Sequence, residues 1–488
     1  MVKTKRKPTL FEAVSCLIFM GLIIGIGFGI FKIGIQILLV VSAAYAAFIG
    51  KRVGLTWEEM ERGVSVRLGN VMPAIFILFA VGIVIGSWVY SGTVPMLIYY
   101  GLKFINPTYF LVTAFVIVAI VSTATGTAWG STATAGVALM GIAVQLNIPL
   151  GMAAGAVIAG GVFGDKLSPL SDTTNLAPLV CEVNLFAHIK HMLYTTIPAA
   201  LIGMIVYIIV GLKLYGNEKV DTTAIQSLMA ELDSIYNWNI FMCLPFIVIF
   251  WGAYYKKPTV PIMLLSSIVA VIVGMLSNGF SFVDGMQSMV NGFNISMVNV
   301  AGFDTTAISE TVLKLINRGG IFSMTTIAVT IICGYAFAGI VEVAGCLDVI
   351  LTSFYNKVEK VWQLIGVTIA GSVALVFTAG VASISIIMVG TLLKDAYDKM
   401  GLDRRNLSRT LEDAGTMLLP FVPWGVSGIF YLEVLGVGPG SYWMWAVSCY
   451  LCIVFAMFFG FTGIAIAKSD KNTTASHAIK PQKEKSLV

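Results

Sequence analysis

Charge is what this sequence lacks. Asp, Glu, Lys and Arg make up 11% of its 488 residues, against 58% hydrophobic, where a soluble globular domain carries about 25% charged residues. Such a chain cannot cover itself for water. Histidine is scarce as well, at His188, His191 and His477; the first two flank an expected loop, and a histidine metal site is not indicated. No phosphate-cradling loop with its lysine occurs, which argues against ATP-driven work. The absence of a TVGYG-like filter argues against a potassium channel. No nucleophile–base set suggests an enzyme. Cys16, Cys181, Cys243, Cys333, Cys346, Cys449 and Cys452 fall mostly in apolar stretches and read as small buried hydrophobes. The net charge of +5 resides mainly in short flanks and a tail, so no nucleic-acid partner is expected.

What the sequence has is apolar length. Spans near 12–31, 34–50, 71–90, 192–213, 239–255, 258–277, 322–341 and 441–467 reach or approach the roughly 20 residues that cross a bilayer core. The fold class is an all-α polytopic membrane protein. Between the spans lie apolar but interrupted segments: 108–122 then 131–146, 150–163 then 176–180, 361–378 then 381–393, and 411–422 then 426–436. Each interruption is rich in Gly, Pro, Ser or Thr. Small-residue stripes at Gly21, Gly25 and Gly29, and at Gly151 and Gly155, read as helix-packing surfaces.

Loop charge orients the spans. Lys3, Lys5, Arg6 and Lys7 place the N-terminus in the cytoplasm, and Lys51, Arg52, Lys256, Lys257, Lys394, Lys399, Arg404, Arg405 and Arg409 mark further cytoplasmic loops. The span at 71–90 then runs outward and that at 322–341 inward. Spacing adds to this. Gly126 in STATGTAWGS follows Gly92 by 34 residues, and Gly380 in FTAGVASIS follows Gly345 by 35. Downstream stand GDKLSPLSDTTNLAP and EDAGTMLLPFVPWG. Two inverted-topology repeats with re-entrant hairpins and discontinuous helices are therefore expected. The chain divides into N-terminal helices (1–70), a first repeat (71–213), connecting loops and scaffold helices (214–320), a second repeat (321–467) and a disordered cytoplasmic tail (468–488). This arrangement marks secondary transporters, whose sites lie at the repeat interface near the midplane.

Residues 161–178, GVFGDKLSPLSDTTNLAP, carry the chemistry. Pro169 and Pro178 disfavour helix at the residues before them, and backbone opened inside a membrane survives only where protein or a cavity satisfies it. Ser168, Ser171, Asp172, Thr173, Thr174 and Asn175 offer hydroxyl, amide and carboxylate oxygens, the donors a hard cation such as Na⁺ takes. Desolvation favours the protonated form of a buried carboxylate, and a bound cation favours the charged form. One group can thus hold H⁺ or Na⁺ in turn. Asp172 is the favoured ligand, with Ser171 and Thr173 completing a Na⁺ site. Asp165, beside Lys166, is a second candidate whose alternative is a structural ion pair. Thr125 and Thr127 at the first tip, and Thr378, Ser383 and Ser385 at the second, extend the candidate set. The second break lacks a carboxylate, so it is expected to add hydroxyls and carbonyls. Glu342 and Glu433 stand as intramembrane acids or as groups at an interface.

GGVFGDKLSPLSDTTNLAP, STATGTAWGSTATAG, EDAGTMLLPFVPWG and LINRGGIFSM together resemble the NhaC-type Na⁺/H⁺ antiporters of the ion transporter superfamily, over about residues 50–467. The resemblance implies two inverted repeats, a transport unit moving against a scaffold, and Na⁺ export driven by H⁺ entry. The same family includes Na⁺- and H⁺-coupled malate/lactate exchangers and members that look like amino-acid carriers. A small carboxylate or amino acid is thus an alternative substrate, although no arginine lies in the four interrupted segments. The expectations are a multi-pass protein of the cytoplasmic membrane with both termini inside, no cofactor, partners limited to Na⁺, H⁺, such a substrate and the bilayer, and an assembly for which a homodimer stands open.

Overall fold

A computed structural model of the chain describes residues 5–28, 30–31, 33–104, 106–215, 222–255, 257–298, 303–355 and 358–469. The tail from 470 onward, expected to be disordered, lies outside the described residues, as does Gly29. Among the described residues nine helices are long and apolar enough to cross a membrane, or up to eleven if each of two bent helix pairs counts as one span. The protein is a polytopic helical membrane protein. Two expected spans differ in form. The stretch 239–255 belongs to a pair, Gln226–Ile235 and Ile240–Gly252, bent by 98°. The span expected over 441–467 is the shorter helix Val447–Thr462. Cys449 and Cys452 share a C-x-x-C spacing on it, but both are buried and free, and no metal-holding group of three His, Cys, Asp or Glu occurs among the described residues.

The two halves pass through the same order of elements. In the first, Trp57–Ser91 starts at a Thr56–Glu59 capping box and stops at Gly92, whose φ of 85° suits glycine. Thr93–Phe104 follows, then Phe110–Thr125, a joint at Gly126, and helical turns over Ala128–Gln145 that include a π turn at Thr132–Gly136. Next come Leu150–Leu167, a break, and Asp172–Cys181, then Leu185–Tyr215. In the second half, Thr325–Val343 ends before Gly345, and Cys346–Tyr355 follows. Val361–Ala379, a joint at Gly380, and Ala382–Lys399 come next. Arg405–Ala414, a break, Val426–Leu435 and Val447–Thr462 complete the half. Gly126 and Gly380 share a φ of 70°.

Each joint seats on the break of its own half. A Cβ at Gly126 would stand 2.5 Å from Leu170 Cβ, and one at Gly380 would stand 3.2 Å from Gly425 Cα. The Val426 N–H also donates to Gly380 O at 3.2 Å. Contacts then cross between halves. Trp129, just past the first joint, stacks on Phe430 at 4.9 Å and donates its indole N–H to Ser427 Oγ at 3.0 Å. In return, Gly390 of Ala382–Lys399 receives Val180 of the first broken helix. Glycines let Leu150–Leu167 lie close on Phe110–Thr125: a Cβ at Gly160 would be 2.3 Å from Phe115 O. Gly151 and Gly155 also pack closely, against Ser441 and Trp445. Gly21 and Gly25 do not, having nothing within 4 Å of an added Cβ; their small size is not used for packing within the chain.

Candidate functional site

The first break is one turn long. Leu150–Leu167 ends at Ser168, and Asp172 opens the next helix. Pro169 lies in this turn, as its missing N–H and its effect on Ser168 require. Pro178 does not break the chain: it sits inside Asp172–Cys181, near enough to that helix's end for tertiary packing to hold it. Five of the hydroxyl and amide groups offered as ligands satisfy backbone or each other. Ser168 Oγ accepts from the Leu170 N–H, and Asn175 Nδ2 donates to Pro169 O at 2.8 Å and Ser171 O at 2.7 Å. The buried Thr174 hydroxyl donates to Lys166 O at 3.0 Å. Ser171 and Thr173 hydroxyls lie 3.4 Å apart.

A cavity of about 340 Å³ collects the rest. Asp165, Ser171, Asp172 and Thr173 line it from the first break, Thr125 and Thr127 from the first joint, and Ser383 from beyond the second joint. Val71, Pro73 and Tyr335 wall it from the two long helices, and Thr416, Ser427 and Tyr431 from the second broken helix. Thr378 and Ser385 lie outside this lining; both are buried and bonded to backbone, Thr378 to Ala374 O and Ser385 to Ser372 O. Of the two aspartates, Asp172 is exposed at the start of its helix. Asp165 is set deeper, its carboxylate beside the Ser171 hydroxyl and the Ala128 N–H at the start of the helix after the joint.

Lys166 corrects the expected local ion pair. Its Nζ bonds Asp413 Oδ1 rather than Asp165, and both side chains are fully buried. Thr195 donates to the same Asp413 oxygen at 2.9 Å. The second half therefore supplies carboxylates after all, one turn upstream of its proline break: Glu412 and Asp413 are 0% exposed. Glu412 stands within electrostatic reach of Asp165. His188 and His191 are not loop residues. They lie buried in Leu185–Tyr215, with His188 Nδ1 2.9 Å from Ser408 Oγ and His191 Nε2 3.1 Å from Asn406 Oδ1, and so fasten that helix to Arg405–Ala414.

Two further cavities flank the central one along the same helices. At the N-terminal end of Trp57–Ser91, a cavity of about 610 Å³ is lined by Arg62, Arg67, Glu342 and Met388. Glu342 there is ion-paired with Arg67, which favours an interfacial role over a buried one. Near the helix's other end, a cavity of about 490 Å³ is lined by Ile85, Asn294, Asn317, Arg318 and Glu433. Arg318 donates to Val434 O at 3.0 Å, at the end of the second broken helix. From Arg67 to Ile85 the helix rises about 27 Å, close to the roughly 30 Å of a hydrocarbon core.

The comparisons agree with this architecture. A model of the Na⁺/H⁺ antiporter family matches residues 160–464, more than half the chain. An uncharacterized Na⁺/H⁺ antiporter of Haemophilus influenzae is 40% identical over 96% of the chain and 98% of its own length. The malate-2H⁺/Na⁺-lactate antiporter of Bacillus subtilis is 35% identical over 98% of the chain and 100% of its own. The Na⁺/H⁺ antiporter NhaC of Alkalihalophilus pseudofirmus is 36% identical over 90% and 92%. With near full-length relatives of this kind and a cavity built from both broken helices, the chain belongs to the Na⁺/H⁺ antiporter family.

Proposed function

We propose that the protein is a Na⁺/H⁺ antiporter of the cytoplasmic membrane that exports Na⁺ in exchange for H⁺. The observation that carries this reading is the Asp165 carboxylate in the central cavity, beside the Ser171 hydroxyl and a helix-start N–H. Hydroxyls of Thr125, Thr127, Ser171 and Thr173 line the same space. Oxygen donors of this kind suit Na⁺, and a carboxylate that binds Na⁺ cannot hold its proton at the same time. Asp165 is the exchanging group, and the exposed Asp172 receives ions at the cavity mouth. The flanking cavities are the inner and outer approaches, and alternating access opens the central one to each in turn. Loop charge places both termini inside, and the repeated order of elements with opposite loop-charge orientation supports inverted repeats.

Arg318 favours a second reading, exchange of a small organic carboxylate or amino acid. Arg318 lines the outer cavity together with Glu433, where its remaining donors suit a carboxylate. The relatives bear on the choice: two are named Na⁺/H⁺ antiporters and another a malate-2H⁺/Na⁺-lactate antiporter. Proteoliposomes holding a pH-sensitive dye decide between them. A Na⁺ pulse is expected to move protons with no organic solute present. If protons move only when malate, lactate or an amino acid is added, simple Na⁺/H⁺ antiport is wrong.

A further inference from the structure

The cavity at the N-terminal end of Trp57–Ser91 has an unmatched positive charge and an apolar rim, and the exchange described above uses neither. Its acids already have their cations: Glu342 pairs with Arg67, and Glu59 with Lys5. Arg62 lines the same space and is exposed, and its side chain forms no ion pair or hydrogen bond among the described residues. Apolar side chains from three helices stand around it. Val66, Val343 and Ile387 all line the cavity, and all three are exposed.

Neighbouring helix ends fix the depth of this cavity. Gly63 lies against Val343, the last residue of Thr325–Val343, and Met60 lies against Gly50, two residues before Ile35–Arg52 ends. Lys51 and Arg52 close that last helix, and the exposed Trp57 opens the one that carries Arg62. Lysine and arginine collect on the cytoplasmic side of a bilayer, and tryptophan at headgroup level. On the loop-charge orientation, Arg62 therefore stands at the cytoplasmic boundary, and Val66, one turn deeper, faces the acyl chains.

A cation set among apolar walls at this depth has a specific complement. Na⁺ is repelled by it, and a neutral solute leaves the charge unmatched. A phosphodiester offers acceptor oxygens that fit the guanidinium fork, and acyl chains cover the apolar rim. Basic pockets between helices on the cytoplasmic side hold anionic headgroups in this way. Free phosphate would satisfy the arginine and leave Val66, Val343 and Ile387 bare.

We propose that this cavity binds an anionic phospholipid of the cytoplasmic leaflet, with its phosphate on Arg62 and its acyl chains against Val66, Val343 and Ile387. The headgroup sits at the mouth, since Arg67 and its partner Glu342 lie about 7.5 Å farther along the helix. The lipid lies between Trp57–Ser91 and Thr325–Val343 on one side and Ala382–Lys399, beyond the second joint, on the other. The assignment does not depend on which solute the protein carries.

The test titrates the full chain in detergent with phosphatidylglycerol, or with phosphatidylcholine of the same acyl chains, and counts bound lipid by native mass spectrometry. Phosphatidylglycerol is expected to bind the wild type more tightly than phosphatidylcholine. Arg62→Gln should weaken phosphatidylglycerol about fivefold, the worth of one arginine at a lipid surface, and leave phosphatidylcholine unchanged. Arg62→Lys should keep most of the preference, and Val66→Ser should weaken both lipids. Lys314→Gln, which removes an exposed lysine paired with Glu310, should change neither. Equal binding of the two lipids by the wild type, or an unchanged affinity in Arg62→Gln, overturns the proposal. So does a loss in Lys314→Gln as large as that in Arg62→Gln, which would reduce the effect to overall charge. Displacement of phosphatidylglycerol by inorganic phosphate at equal concentration would make the site one for free phosphate and sink the lipid assignment.

Discussion

The two breaks stand at matching points in the order of elements, yet they are built from different chemistry. The first is a single polar turn between Leu167 and Asp172, with acids on either side of it. The second runs from Gly415 to Gly425 through Pro420 and Pro423 and holds the aromatic Trp424. Trp424 is tied to Phe377 O at 2.6 Å. Neither break is complete alone. Lys166 of the first finds its acid in Asp413 of the second, and Trp129 of the first joint docks on Ser427 and Phe430 past the second break. The difference shows a division in which one half supplies an open, cavity-facing turn and the other a braced one, with shared side chains locking them into a single unit.

The strongest way to break this comparison is to remove the lysine that joins the halves. Lys166→Met leaves Asp413 buried without its cation and is expected to cost about 3–5 kcal/mol. Thermal unfolding in detergent should show it, and Lys166→Met with Asp413→Leu should recover most of the loss. Full additivity of the two changes would mean that the pair does not couple the halves.

Next comes the contrast within the first break. Asp165→Asn is expected to weaken apparent Na⁺ affinity by on the order of 100-fold, about 2.7 kcal/mol. The exposed Asp172→Asn should lose less than about tenfold. Dye-reported proton flux over a Na⁺ titration measures both, and the opposite ranking would make Asp172 the exchanging acid.

A smaller effect sharpens the cross-half docking. Trp129→Phe keeps the stacking surface but drops the bond to Ser427, for about 1 kcal/mol. If Ser427→Ala adds nothing further to Trp129→Phe, the two residues act as one contact.

The smallest effect lies just past the first broken helix. Lys394 and Arg404 hydrogen bonds hold the Glu182 carboxyl below the usual carboxylate range. The stabilisation is thus present above the unfolded value of about 4.3 and is lost as pH falls through the lower folded value. Because Glu182 is half-exposed, Glu182→Gln should cost less than about 1 kcal/mol near neutral pH. The gap between variant and wild type should close in acid; a gap that widens there would contradict the pairing.

Much of the scaffold was legible in the sequence because membrane burial is written locally. Apolar length marked most of the spans, and Pro169, Pro420 and Pro423 marked the breaks. Gly126 and Gly380 marked the joints through a backbone angle that other residues resist. The site was legible only in outline. Lys166 and Asp413 are 247 residues apart, so nothing in the local pattern names one as the other's partner, and the adjacent Asp165 was the natural choice. The depth of Asp165 and the exposure of Asp172 depend on how the turn seats against Gly126. Glu412 was passed over because it precedes the prolines, although the helix carries it back beside the first break. Arg318 comes from a loop ahead of the second half, outside any interrupted segment.

The row of three cavities along Trp57–Ser91 has an electrical meaning. Where approaches from either face reach far into the protein, the resistance of the membrane is confined to the thin partition around the breaks. The membrane potential, about 2.3 kcal/mol per charge at 100 mV, then falls over that partition instead of over the full thickness. A short displacement of a charge at Asp165 would then sample most of the field, without moving any charge far.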